Sequence, residues 1–208
     1  MYDDQYLYIG AHVRDPLPLK SVIPPDADST YCYRGGSVQV RIATDPSKPW
    51  PLPQYYRPDR IPHYPADVDL DFMVHLSMWY HAPSNGPCLD ISYGVPPLKS
   101  HSSPAFGWQG AYQKDADGLG YMLEYAIPWH LIQDKEKRFQ AGDQTAVCWQ
   151  VNWSNREGNV RVAQLNECVN MVNIQTPNDL MHAWRQAESW GRGIFQGQDG
   201  SKAREGCP

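Results

Sequence analysis

No stretch of this 208-residue chain is apolar for long enough to cross a bilayer as a helix. A basic stripe is also lacking. The net charge is −5, and lysines and arginines gather on no segment, which removes the electrostatic footprint of a nucleic-acid binder. The five cysteines (Cys32, Cys88, Cys148, Cys168, Cys207) form no CxxC pair, so no zinc knuckle or c-type haem attachment can be argued. One or two disulfides are possible, and sequence alone cannot pair them. The opening Met1-Tyr2-Asp3-Asp4-Gln5 has neither a charged n-region nor an apolar h-region, so no signal peptide is expected at this terminus. No long segment keeps a 3.6-residue apolar period, and no internal repeat occurs.

Phenylalanine is scarce, 4 residues against 13 Tyr and 8 Trp. Tyr and Trp pair an apolar face with a polar edge, which suits half-wet surfaces. The 19 Pro and 16 Gly punctuate the chain as short strands joined by turns require. Period-2 alternation marks strands at residues 5–13, 36–42 and 69–80. Further strands are expected at 88–93, 108–114, 120–128 and 190–195, with a hairpin of 146–154 and 159–165 around Asn155-Arg156-Glu157-Gly158. A single helical turn suits the segment after Trp129. The fold class expected is all-β, an antiparallel β-sandwich with long loops. One domain should span 1–197, with a Pro/Tyr-rich insertion at about 45–67 and a disordered polar tail at 198–208. The first strand starts so close to the terminus that an upstream strand or domain is expected in another segment or polypeptide.

Four segments in order resemble the family 9 carbohydrate-binding modules and their DOMON-like relatives. Tyr2-Asp3-Asp4-Gln5-Tyr6-Leu7-Tyr8, followed by Val13-Arg14-Asp15, is similar to the family's opening W-D-[DE]-x-Y-L-Y…V-x-D. Gly35-Gly36-Ser37-Val38-Gln39-Val40 resembles x-D-S-V-E-[IVL], and Gly120-Tyr121-Met122-Leu123-Glu124-Tyr125-Ala126-Ile127-Pro128-Trp129 matches G-Y-x-x-E-x-A-I-P-W. Trp184 to Gly191 is similar to the closing W-x-x-P-x-x-[FW]-G. The family begins one or two strands earlier than this chain.

The resemblance implies sugar held by an aromatic clamp with flanking polar side chains. Tyr33 and Trp184 take the clamp positions, and Gln39, Gln150 and Met73 the polar ones; Met73 stands where one branch carries Arg, so the same sugar end is not implied. Rings cover the C–H face of a pyranose, and amides pair with its hydroxyls. Trp50, Tyr55 and Asn152 are accessory candidates, and Trp50 with Tyr55-Tyr56 could instead pack the loop down. Tyr33 could equally be a loop aromatic capping the core, and Gln39 and Gln150 plain sheet-surface residues. The family implies export, to an extracellular or periplasmic location, as part of a larger multidomain polypeptide. No cofactor is required, although the family often carries structural calcium, for which Asp67, Asp69 and Asp71 offer oxygen ligands. Glu124 is expected to pin a loop or a metal, and Trp129 to fill the core. The expected partner is a carbohydrate, with no nucleic acid and no membrane.

Two enzyme classes and two other modules compete. Asp69, Asp71 and Glu124 could supply paired carboxylates for glycoside hydrolysis, and His75 or His81 with Tyr80 the base and acid of a polysaccharide lyase. Odd positions from Asp69 to Ser77 share one strand face, so Asp69, Asp71, Met73, His75 and Ser77 should line up toward solvent or a groove. Among Met73, Met78, His75 and His81, one Met and one His could hold a haem in a DOMON-type domain. A structural adhesion module is the last alternative.

Overall fold

The computed structural model describes residues 1–27, 31–48, 50–52, 73–93, 104–133, 138–167 and 190–197. The described strands are β1 (Tyr6–Arg14), β2 (Ser37–Ala43), β3 (Met73–His81), β4 (Gly86–Tyr93), β5 (Gln109–Lys114), β6 (Gly120–Pro128), β7 (Gln144–Ser154), β8 (Arg161–Glu167) and β9 (Gly191–Ile194). They pair antiparallel throughout. One sheet has three strands in the order β1-β6-β5, and the other runs β4-β3-β2-β7-β8 with β9 beside the start of β7. The architecture is an antiparallel β-sandwich. Single 3-10 turns stand at Cys32–Arg34, Pro104–Phe106 and Trp129–Leu131, the last where a helical turn is expected.

Parity of the strands decides which side chains meet between the sheets. Val38, Val40 and Ile42 of β2 and Val74, Leu76 and Met78 of β3 face Leu123, Tyr125 and Ile127 of β6 in one continuous core. Each of these large side chains contributes about 1.5–3 kcal/mol by leaving water. Tyr125 ties the layers together, because its hydroxyl donates to the Cys88 carbonyl of the facing sheet at 2.8 Å. Trp129 is 5% exposed and donates its indole N–H to the Asp3 carbonyl at 2.8 Å, which fixes the chain start onto the end of β6. Pro128 supplies the break that ends β6.

Two expectations change. Among the described residues Glu124 pins no loop and joins no group of metal-ligating side chains. It is exposed on the outer face of the small sheet, opposite Gly10 and Ala111, and has no hydrogen-bond partner among the described residues. Parity makes this unavoidable, since Leu123 and Tyr125 on either side both point into the core. The polar row of β3 does not face solvent either: His75 is 3% exposed and Ser77 0%. Every residue of β2 is buried, so the centre of the large sheet is covered on both faces, while β8 at its edge is exposed or half-exposed. The tail 198–208 and most of the 45–67 insertion lie outside the described residues.

Candidate functional site

The outer face of the large sheet carries the residues that alternate with the core. Register sets them in rows across the strands. One row runs Asp90 (β4), Ser77 (β3), Gln39 (β2), Gln150 (β7), Asn166 (β8). The neighbouring rows are Ser92, His75, Arg41, Cys148 on one side and Cys88, Trp79, Ser37, Asn152, Gln164 on the other. Five strands at about 4.8 Å spacing make the central row about 19 Å long. Apolar groups stop the polar band at both strand ends. Ala43, Leu52, Met73, Ala146, Cys148 and Trp190 cluster beyond one end, and Ile23, Cys32, Trp79 and Cys88 beyond the other.

Buried polar groups are tolerable only when paired, and these are woven together. The Arg41 guanidinium donates to Gln150 Oε1 at 3.1 Å and to Gln39 Oε1 at 3.0 Å. Gln150 Nε2 donates to Asn152 Oδ1 at 2.9 Å, and Asn152 Nδ2 to Ser37 Oγ at 3.0 Å. Gln39 Oε1 also lies 3.1 Å from His75 Nε2, with Ser77 Oγ 3.2 Å from the same nitrogen. A carbonyl oxygen can only accept, so Nε2 of His75 carries the proton. Burial, and then the Arg41 charge, push the His75 pKa well below its ordinary value. The ring is therefore neutral at pH 7, and a poor proton acceptor there.

Of the side-chain amides in this network, one nitrogen is left over. Gln39 Nε2 is buried and has no hydrogen-bond partner among the described residues, while the residue is 1% exposed. The amide cannot be turned round, because its nitrogen would then face the Arg41 guanidinium, donor against donor.

At the β8 end the row becomes half-exposed at Gln164 and Asn166. Tyr33, half-buried in the 3-10 turn, packs one ring face against the Arg161 guanidinium, 4.9 Å from the ring centroid. Trp50 donates its indole N–H to the Trp190 carbonyl at 2.9 Å and packs on the cluster that holds Met73. Trp184, Tyr55, Asp67, Asp69 and Asp71 lie outside the described residues. Of the other haem candidates, Met78 is in the core, and His81 contacts Ser84 at 2.6 Å on an exposed turn. Met73 and His75 project from the same strand face two residues apart, whereas axial ligands must approach a haem from opposite sides.

The sequence reading missed Arg41, Ser77 as a partner of His75, and the Asp90–Ser92 pair, where the Ser92 hydroxyl donates to the carboxylate at 2.6 Å. Arg41 was within reach, since it sits two residues from Gln39 and so shares its face.

No family model matches the chain, and no curated protein matches it. Solved structures do. One is a carbohydrate binding module family 9 (CBM9) from Caldicellulosiruptor kristjanssonii in complex with cellotriose, with a TM-score of 0.54 and 21% identity over 100% of this chain and 76% of that one. Another, a CBM9 module of the same organism in complex with glucose, has a TM-score of 0.53 and 21% identity over 95% and 74%. The fold is CBM9-like. At this identity the likeness is one of fold, and in that CBM9-like frame the large sheet bears the polar row on its outer face.

Proposed function

We propose that this chain binds carbohydrate without catalysis, on the outer face of the large sheet. The ligand class is a plant or microbial polysaccharide or the end of such a chain. The unpartnered Gln39 amide carries this reading. A buried donor without an acceptor is costly, about 1–3 kcal/mol, and a sugar hydroxyl would relieve it. Around it, Gln150 and Asn152 are already fixed by their own hydrogen bonds, as a hydroxyl-binding surface requires. Two solved modules of the same fold hold cellotriose and glucose, which supports sugar as the ligand class. Tyr33 and Trp184 would supply the ring faces. The role fits an exported protein and a larger multidomain polypeptide.

The test is affinity electrophoresis through gels containing soluble polysaccharides, with the same samples assayed for reducing ends and unsaturated products. Retardation without product is expected. Product release would shift the role to an enzyme working through the Asp69, Asp71 and His75 face. Trp184→Ala should abolish retardation while leaving Tm within a degree or two. A large fall in Tm would make Trp184 a core residue and remove it from the clamp.

A further inference from the structure

The polar row has one open end, and that end is cationic. Arg161 is exposed at the start of β8. Its Nη1 donates to Asn152 Oδ1 at 3.5 Å and to Gln164 Oε1, and its plane lies over Tyr33. These three neutral partners hold the guanidinium in place and leave the Nη2 and Nε edge without a hydrogen-bond partner among the described residues. That edge is a two-pronged fork matching the two oxygens of a carboxylate. Arg34, exposed on the same 3-10 turn as Tyr33, lies over the Tyr31 ring at 4.9 Å. The ion pairs among the described residues join only His12 and Arg14 to Asp115 and Asp117, on the small sheet. In a chain of net charge −5, Arg161 at the mouth of the row and Arg34 on the turn that carries Tyr33 are thus braced on tyrosines without a carboxylate partner among the described residues.

We propose that the β8 end of the row is an outer subsite for an acidic sugar residue, a uronate whose carboxylate is gripped by the Arg161 fork, with Tyr33 and Asn166 beside it. The subsite rests on the carbohydrate reading above. It adds to that reading a charge preference that neutral amides and hydroxyls in the central row would not produce. Salt sensitivity follows, because an exposed pair is screened over about 8 Å at physiological ionic strength.

Isothermal titration calorimetry of the whole chain tests this with two trisaccharides of equal length, one carrying a terminal glucuronic acid and the other glucose at that position. At 20 mM salt the acidic sugar should bind about tenfold more tightly, as one charge-assisted bidentate contact allows. The preference should shrink in 0.5 M salt and fall to about one in Arg161→Gln. Arg161→Lys, which keeps the charge and loses the fork, should retain only part of it. Circular dichroism confirms that both variants fold. Equal affinity for the two sugars in the wild-type chain, or a preference that survives Arg161→Gln, overturns the subsite and leaves the carbohydrate reading intact. Binding of neither sugar, nor of any polysaccharide in the gels, overturns both.

Discussion

Acidification should weaken this fold through His75. In the folded chain the imidazole is 3% exposed, donates from Nε2 to Gln39 and faces the field of Arg41. Both burial and the like charge oppose protonation, so the folded pKa lies well below the unfolded value of about 6.5. Between those two values the unfolded chain binds the extra proton and the folded chain does not. Stability therefore rises with pH across that window and is lost as pH falls through 6.5. For one site the loss is negligible at pH 7.5 and about 1.4 kcal/mol at pH 5.5, growing by a further 1.4 kcal/mol or so per unit until the folded pKa is reached. The assay is urea unfolding followed by tryptophan fluorescence at pH 7.5, 6.5 and 5.5, on the wild-type chain and on His75→Gln. Gln retains a donor toward Gln39 and cannot titrate, so the variant subtracts every other ionisable group. The wild type should lose about 1.4 kcal/mol more than the variant between pH 7.5 and 5.5, at unchanged m-value. Equal losses in the two proteins would refute the buried, neutral state of His75 and the network built on it.

Tyr125→Phe removes the hydroxyl that bridges the sheets to the Cys88 carbonyl and should cost about 1 kcal/mol in the same urea assay. Gly158→Ala should cost about 3 kcal/mol or more, because φ is +73° and a Cβ would stand 1.8 Å from the Lys20 carbonyl oxygen. Gly118→Ala, at φ +71° with only the Lys114 side chain nearby, should cost about 1 kcal/mol, and similar losses at the two glycines would refute the backbone clash. Tyr33→Ala should weaken carbohydrate binding about tenfold in the affinity gels, and unchanged retardation would confine Tyr33 to packing under Arg161.

The sandwich was legible because its strands alternate and its turns carry specific chemistry. Residues 120–128 were expected as a strand, and β6 runs Gly120–Pro128. The hairpin around Asn155-Arg156-Glu157-Gly158 formed as expected, with Asn155 Oδ1 accepting the backbone N–H groups of Asn159 and Val160 and Gly158 taking positive φ. Hydrophobic alternation cannot say how the strands distribute between layers. That the three-stranded sheet consists of β1, β6 and β5 follows from long-range pairing, such as Val13 with Tyr121, for which no local signal exists.

The candidate site was read in fragments for a related reason. Alternation of polar with apolar residues is normally the mark of one wet face. Gln39, Arg41, His75, Ser77, Gln150 and Asn152 obey that pattern, yet each is 3% exposed or less. What separates them from surface residues is mutual satisfaction across three strands, which depends on register and not on residue type. Gln39 meets Gln150 and Ser77 only because β2 lies between β7 and β3 in that alignment, and a slip of β2 by one residue would turn Gln39 into the apolar layer. The same register argument makes Gln39 Nε2 informative. Where the side-chain amides of Gln150 and Asn152 and the two Nη groups of Arg41 find partners within 3.1 Å, a buried amide nitrogen without an acceptor among the described residues points to a ligand. Its acceptor must approach from the outer face, because the core side is filled by Val38, Val40 and Leu76. A hydroxyl fits that requirement, and a purely apolar partner does not.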